Sequence, residues 1–101
     1  MRYEISTQGT EAVLALSERF TAIDAPEFRG VIHRFGEMAV RTVIIDLEHL
    51  EFIDSAAMGL LVLVRDSAVS HAITMRVRAP QGQVKKAFAI FNFSKLFDVD
   101  P

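Results

Sequence analysis

Apolar residues in the first third of the chain are arranged as expected for a β-hairpin followed by an amphipathic helix. Two short segments, Tyr3–Thr7 and Glu11–Ser17, flank a connection that contains glycine, which predicts the hairpin. Asp24 is a candidate helix cap, with Pro26 in the first turn and Glu27 in the position of a capping box. The apolar residues that follow recur on one helical face: Phe28, Val31, Ile32 and Phe35.

The middle of the chain predicts a short strand and a long apolar helix. Residues Arg41–Leu47 are β-branched and apolar on both sides, which is typical of a strand covered on both faces. The segment Ala56–Ser70 is too long for an ordinary strand, and its Ala, Met and Leu content favours a helix. The predicted inner face of this helix consists of Ala57, Leu60, Leu61, Val64 and Ala68.

The last third predicts one more strand and one more helix. Apolar residues in Ala72–Ala79 alternate with outward-facing Arg76 and Arg78, which indicates a strand. A helix ends near Asn92, and the final segment packs or pairs after it. The predicted inner stripe of this helix consists of Val84, Ala87, Phe88 and Phe91.

The resulting order is β-β-α-β-α-β-α. Strand–helix–strand crossovers imply parallel strand pairs, so we expect an α/β fold with a mixed β-sheet packed with α-helices in a small sandwich. No internal repeat or Pro/Gly/Ser-rich linker interrupts the chain, which predicts a single domain over residues 1–101.

Composition narrows the class of protein. The chain has 101 residues, half of them hydrophobic, with a formal charge of −2 and no cysteine. It has no basic block that would favour nucleic acid, and without cysteine it has no disulfide or thiolate chemistry. Its longest apolar run, Ala56–Val64, is shorter than the roughly 20 residues of a membrane span. We therefore expect a cytoplasmic protein that neither binds nucleic acid nor inserts directly into a membrane.

Asp54 and Ser55 stand side by side where the long helix begins. The structural interpretation is that one of them caps the helix by accepting hydrogen bonds from free N–H groups of the first turn. The functional interpretation is that Ser55 accepts a phosphate of about −1.5 to −2 charges, which a helix N-terminus tolerates. The pattern alone leaves both interpretations open.

The stretch VIIDLEHLEFIDSAAMGLL resembles the signature of the STAS domain, the family of bacterial anti-sigma factor antagonists. Family members have a hydrophobic strand, a short loop, and then Asp-Ser followed by small residues and a glycine. The order of elements and the C-terminal segment are also similar, so the resemblance covers essentially the whole chain. The matching positions are Ile44–Leu47, Asp54, Ser55, Ala56, Ala57, Met58 and Gly59.

The resemblance implies a regulatory binding protein without a cofactor. Such an antagonist binds an anti-sigma factor that is also a serine kinase, and thereby frees a sigma factor for transcription. The kinase phosphorylates the serine after the motif Asp, here Ser55, and a serine phosphatase resets the switch. Asp54, Ala56, Ala57 and Gly59 would support this phosphorylation site.

Three positions depart from the usual family pattern. The turn before the first helix usually contains a Gly and then an Asp, and the matching residues here are Glu18 and Thr21. Ala57 stands where many relatives have Gly. These changes leave Ser55 in place, and the missing Asp bears on how a kinase would dock.

Partner contacts are expected from the turn before the first helix and from the outer side of the second helix. Ala56 and Gly59 are small enough to allow another chain to approach Ser55 closely. The alternative for the outer side of the helix is that other segments of this chain cover it. The predicted contact residues are Arg19, Phe20, Thr21, Asp24, Met58 and Val62.

A second function also fits the resemblance: a STAS accessory subunit that regulates the ATPase of a membrane transporter. An enzyme is a third possibility, but Ser55 lacks the Gly-x-Ser-x-Gly motif and no glycine-rich phosphate loop is present. The three histidines fall on different segments without metal-ligand spacing, so we expect neither a metal site nor catalysis. The sequence leaves the oligomeric state open.

Overall fold

The computed structural model describes residues 1–101 as a five-stranded sheet with three α-helices. The strands are β1 (Arg2–Gln8), β2 (Glu11–Phe20), β3 (Thr42–Ile53), β4 (Thr74–Arg78) and β5 (Asp98–Asp100). The helices are α1 (Ala25–Glu37), α2 (Ser55–Ser70) and α3 (Gly82–Ile90), with short 3₁₀ turns at Ala22–Asp24 and Phe93–Lys95. The predicted order of elements is confirmed, and β5 is added after α3.

The sheet is mixed, as predicted. Its strands lie in the order β1-β2-β3-β4-β5, with β1 antiparallel to β2 and every other neighbouring pair parallel. Because β2 and β3 run in the same direction, their last residues Phe20 and Ile53 lie side by side. The segments that lead into α1 and α2 therefore start from the same edge of the sheet.

All three helices contribute to one core on one face of the sheet. The prediction that β3 is covered on both faces is confirmed only at Val43, Ile44 and Ile45, which alternate between the faces and are all buried. Leu14, Ile45 and Val77 are aligned across three strands and fully buried in the core that all three helices share. On the opposite face, Arg78 of β4 donates a hydrogen bond to Asp46 of β3 at 3.1 Å. Because these two charged side chains pair with each other and Arg78 still reaches solvent, this face of the sheet is stable without a layer of helices.

The third strand continues past its predicted end at Leu47 and reaches Ile53 directly, without the expected loop. It stays paired with β2 along this extension, with a register shift between Glu18 and Arg19. Glu18 has a φ of 67°, in the left-handed region that glycine adopts most readily. The position where the STAS pattern usually has Gly thus requires an unusual backbone conformation.

The start of α1 differs from the prediction. Asp24 makes no side-chain cap for this helix and does not form a capping box with Glu27. Its carboxylate instead accepts a hydrogen bond from the N–H of Thr21 at 2.9 Å, one turn earlier. The predicted inner face of α1 is confirmed by its buried residues, which are Phe28, Val31 and Phe35.

The end of α3 also differs, because Phe91 is 55% exposed and lies outside the core. Two later aromatic residues take its place: Phe93 lies 4.8 Å from Phe88 and 5.3 Å from Phe97 between ring centroids. The chain folds back through a 3₁₀ turn at this point, and the sequence pattern of α3 does not contain that information. The length and hydropathy of a membrane-spanning helix are not reached by α1, α2 or α3.

Candidate functional site

Asp54 is the N-cap of α2 and also holds the segment that leads into α1. Its Oδ1 accepts a hydrogen bond from the N–H of Ala57 at 2.8 Å, in the first turn of α2. Its Oδ2 accepts one from the N–H of Ala22 at 3.1 Å, in the 3₁₀ turn before α1. A single carboxylate therefore joins the beginnings of two helices.

Ser55 is the first residue of α2 and is exposed to solvent. Ala56 and Gly59 beside it are also exposed, whereas Ala57 is fully buried. The N-terminus of a helix carries a partial positive charge, which stabilises an added anion. A phosphate on Ser55 would thus extend into solvent without disturbing the core.

The end of β3 is fixed from both sides just before Ser55. The N–H of Ile53 donates to Oε1 of Gln83 at 2.9 Å, and Nε2 of Gln83 donates to the carbonyl of Ile53 at 3.0 Å. On the other side, the N–H of Asp54 donates to the carbonyl of Phe20 at 3.3 Å. Sequence reasoning missed Gln83, because nothing in a helical glutamine indicates which distant backbone it will reach.

Asp24 forms a second polar cluster next to this site. Its Oδ1 accepts a hydrogen bond from the α-amino group of Met1 at 2.8 Å, and its Oδ2 accepts the one from Thr21. Burial alone would raise the pKa of Asp24, but the hydrogen bonds from Met1 and Thr21 outweigh it and lower the pKa below its ordinary value. Asp24 is therefore ionised at neutral pH and holds the turn before α1.

Two of the predicted contact residues are in the core. Phe20 is fully buried and lies 4.7 Å from Phe28 between ring centroids, because it ends β2 on the face that the helices cover. Met58 is 3% exposed and belongs to the hydrophobic core, and it lines a groove together with Ala87 of α3. The prediction that Met58 lies on the outer side of the helix is wrong, and the side chain of Phe20 is not available at the surface.

The other predicted contact residues lie at or near the surface. Arg19 is exposed, and its guanidinium carbon lies 4.3 Å from the centroid of the Phe52 ring. Thr21 and Asp24 are partly buried, and Val62 packs against the edge of the core. Of these four residues, Arg19 alone is exposed rather than partly buried.

Exposed apolar side chains lie instead between α1 and α2. Ile23 in the 3₁₀ turn is 89% exposed, and Leu63 of α2 is 60% exposed. A shallow depression between these elements is lined by residues that include Arg29, Ala56, Gly59 and Leu63. We call Ile23, Arg29, Ala56, Gly59 and Leu63 the α1–α2 patch. Leu63 was detectable from the sequence, because it falls opposite the inner face of α2.

Comparison with known proteins identifies the family of this chain. A family model described as the STAS domain matches residues 2–101. A STAS-domain containing protein of Pseudomonas aeruginosa (strain UCBPP-PA14) is 30% identical over 94 residues, which cover 93% of this chain and 92% of that protein.

Solved structures share the fold at lower sequence identity. An anti-sigma factor antagonist from Mycobacterium paratuberculosis has a TM-score of 0.87 at 17% identity, covering 99% of this chain and 85% of that chain. The anti-sigma factor antagonist SpoIIAA in its unphosphorylated form has a TM-score of 0.81 at 19% identity, covering 97% and 87%. A sulfate transporter family protein from Wolinella succinogenes has a TM-score of 0.78 at 15% identity, covering 94% and 80%.

Proposed function

The chain belongs to the STAS domain family, and from that premise we propose that it is a regulatory binding protein of the anti-sigma factor antagonist type. Its partner is an anti-sigma factor that is also a serine kinase. Phosphorylation of Ser55 weakens the complex, and a serine phosphatase restores the binding form. The observation that carries the proposal is the exposed position of Ser55 at the start of α2, next to the fixed carboxylate of Asp54.

The phosphorylation step needs only the hydroxyl group from this chain. Oγ of Ser55 forms a bond to the γ-phosphorus of ATP, the bond from that phosphorus to the β–γ bridging oxygen breaks, and ADP leaves. The hydroxyl proton passes to a base of the kinase. Both carboxylate oxygens of Asp54 already accept hydrogen bonds from Ala57 and Ala22, so Asp54 acts as a positioning residue.

The phosphate acts by electrostatics on a partner seated at the α1–α2 patch. It adds about two negative charges beside Asp54 and next to the exposed Ala56. The helix N-terminus stabilises this charge while it is hydrated, but a bound partner would have to bury it. An unpaired buried charge at an interface costs about 2–5 kcal/mol, which corresponds to a loss of affinity of roughly 30-fold to several thousand-fold.

The first test is the identity of the phosphoacceptor. The protein is incubated with the anti-sigma serine kinase of its own organism and ATP, and the phosphorylated residue is located by mass spectrometry. We expect one phosphate on Ser55 and none in the Ser55→Ala variant. Phosphate on a different residue, or no phosphate at all, would refute the proposal.

The second test measures binding to the same kinase. Ser55→Ala should bind constitutively, whereas Ser55→Asp should bind at least about 30-fold more weakly. Ser67→Asp is a matched control, because it adds the same charge to an exposed serine farther along α2. Equal affinities of the two Ser55 variants would rule out the electrostatic mechanism.

A role as an accessory subunit of a transporter ATPase is the second candidate function. The similarity to a sulfate transporter family protein favours it, because the two share the fold over 94% of this chain. In that case, the protein should co-purify with transporter components, and Ser55→Ala should retain wild-type function. Phosphorylation of Ser55 that abolishes partner binding would favour the antagonist instead.

A further inference from the structure

A pocket with a volume of about 170 Å³ opens between α1, α2 and the sheet, at the end of the domain opposite Ser55. The last turns of both helices line it, together with the first residues of β3 and β4. Ser67 in its lining lies roughly three turns of α2 beyond Ser55, which is about 18 Å along the helix. We call this space the His71 pocket, after the residue that ends α2 at its rim.

The floor and the walls of the His71 pocket are apolar. Val43 and Met75 are paired on neighbouring parallel strands, and both are buried, as is Phe35 at the end of α1. The walls are aliphatic side chains that pack against the core but are only partly buried, namely Ile32, Val64, Ala68 and Ile73. While the pocket is empty, water contacts these walls, so an apolar ligand would gain free energy by displacing it.

The volume limits the size of the ligand. An apolar cavity of about 150 Å³ in another protein holds benzene, so the His71 pocket has room for one such ring with a short substituent. A helix is about 10 Å across, and a nucleotide adds a sugar and a phosphate to its ring, so neither fits. The sulfur of Met75 and the ring of Phe35 favour an aromatic ligand, because both make favourable contacts with aromatic rings.

The rim of the pocket offers a hydrogen-bond acceptor. Nδ1 of His71 lies 2.8 Å from the carbonyl oxygen of Ser67, which can only accept, so Nδ1 is the donor. The hydroxyl of Ser70 donates to the same carbonyl at 2.8 Å and leaves this assignment unchanged. In a neutral imidazole the second nitrogen, Nε2, is then an acceptor.

The charges around the rim disfavour an anion. Both α1 and α2 end there, and the C-terminus of a helix carries a partial negative charge. His33 on the rim lies next to the carboxylate of Glu37, with 3.3 Å between Nε2 and Oε1. No lysine or arginine lines the pocket. A ligand with a hydrogen-bond donor therefore fits this rim better than a carboxylate or a phosphate.

We propose that the His71 pocket binds a small neutral aromatic compound that carries one hydrogen-bond donor, such as an aryl alcohol. The ring lies against Val43 and Met75, and the donor group faces Nε2 of His71. This site shares no residue with the α1–α2 patch, so the inference goes beyond the proposed function and does not depend on it.

The test is an NMR titration of methyl-labelled protein with benzyl alcohol, toluene and benzoate. Benzyl alcohol should shift the methyl signals of Val43, Ile73 and Met75, with a Kd on the order of 1 mM or tighter. Toluene should bind about threefold more weakly because it lacks the donor. Benzoate should bind about tenfold more weakly because its charge has no partner at the rim. Absence of binding by benzyl alcohol, or equally tight binding of benzoate, would overturn the proposal.

Two variants show whether the ligand lies in this pocket. Ala68→Leu fills it and should weaken the binding of benzyl alcohol at least about tenfold. Ala89→Leu is the matched control, because Ala89 is an exposed alanine of α3 outside the pocket, and it should leave the affinity within about twofold. Val64→Ala enlarges the pocket and should admit 2-naphthylmethanol, which wild type excludes, and this readout also serves if Ala68→Leu does not fold. Unchanged ligand selection in both Ala68→Leu and Val64→Ala would show that the ligand binds elsewhere.

His71→Phe tests the acceptor, because it keeps an aromatic ring at the rim and removes Nε2. Benzyl alcohol should lose its advantage over toluene, so that the ratio of the two Kd values falls from about three to about one. A ratio that stays at the wild-type value would overturn the assignment of the donor group to His71.

Discussion

The side-chain amide of Gln83 pairs with both backbone groups of Ile53, at 2.9 and 3.0 Å. The fourth strand ends at Arg78, opposite Asp46, so β3 continues beyond it without a neighbouring strand on that side. Gln83 supplies the donor and the acceptor that a strand would have offered. A residue of α3 thus completes the sheet immediately before Asp54 and Ser55.

Gln83→Ala should lower the free energy of unfolding by about 1–3 kcal/mol, because it leaves a partly buried N–H and carbonyl of Ile53 without partners. Gln83→Glu should fall between this variant and wild type, since a carboxylate accepts from Ile53 but cannot donate to it. Urea unfolding measures both. Gln8→Ala is the control, because it removes an exposed glutamine. If Gln8→Ala lowered the free energy of unfolding as much as Gln83→Ala does, the proposed role of the Gln83 amide would be contradicted.

Asp54→Ala should destabilise the protein by about 1–2 kcal/mol through loss of the α2 cap. The amide protons of Ala57 and Ala22 should also exchange faster with solvent, because each loses its acceptor. Asp54→Asn retains one oxygen acceptor and should expose only one of the two amides. Asp66→Ala, at an exposed position of the same helix, is the control for both the stability and the exchange rates. If the amide of Ala22 exchanged no faster in Asp54→Ala than in wild type, Asp54 would not join the two helices.

Glu18→Gly should stabilise the protein by about 1 kcal/mol or less. A side chain in the left-handed region costs about 1–2 kcal/mol, and the greater freedom of glycine in the unfolded chain offsets about 0.5–1 kcal/mol of the gain. The substitution also removes an exposed ion pair with Arg2, which is worth little.

Two variants isolate the backbone effect at Glu18. Glu18→Ala removes the same ion pair but keeps the strained conformation, so it should not stabilise. Glu51→Gly places glycine in the extended part of β3 and should destabilise by roughly 0.5–1 kcal/mol. If Glu18→Gly and Glu51→Gly lowered the urea midpoint by the same amount, the backbone at position 18 would not be strained.

The lowered pKa of Asp24 predicts a loss of stability in acid. Because the pKa is lower in the folded state, ionised Asp24 stabilises the fold above its unfolded pKa of about 4. That contribution disappears as pH falls through the folded value. Asp24→Asn should therefore be less stable than wild type at neutral pH, and the difference should shrink as pH falls below the unfolded pKa of Asp24.

Urea unfolding at several pH values measures this difference for Asp24→Asn. Asp66→Asn serves as the comparison, because Asp66 is exposed. A difference between wild type and Asp24→Asn that stays constant from neutral pH to acid would argue against the hydrogen-bonded carboxylate.

Periodicity predicted most of the elements that hold the core, because apolar side chains at helical or alternating spacing line up on one face of an element. The inner faces of α1 and α2 follow the pattern of Phe28, Val31, Leu60 and Leu61. A cap at the start of α2 was also predicted, since Asp and Ser are both common N-cap residues, and the structure shows that Asp54 is the cap. The exposed position of Ser55 follows from its place just after that cap.

Local pattern failed where a distant segment decides the environment. Met58 has the spacing of an outer residue, but it is buried in the core. Phe91 has the spacing of a core residue, but it is exposed and Phe93 packs against Phe88 instead. The clamp of Gln83 on Ile53 joins residues 30 positions apart, and no short motif encodes such a contact.

The sequence by itself predicted the first four strands and the three helices, and it predicted that a helix begins at Asp54 and Ser55. Only the tertiary structure decided which of the two residues caps α2 and which apolar side chains remain in solvent, so it alone defined the α1–α2 patch. The physical reason is that periodicity reports the average face of one element, whereas exposure depends on which other elements pack against that face.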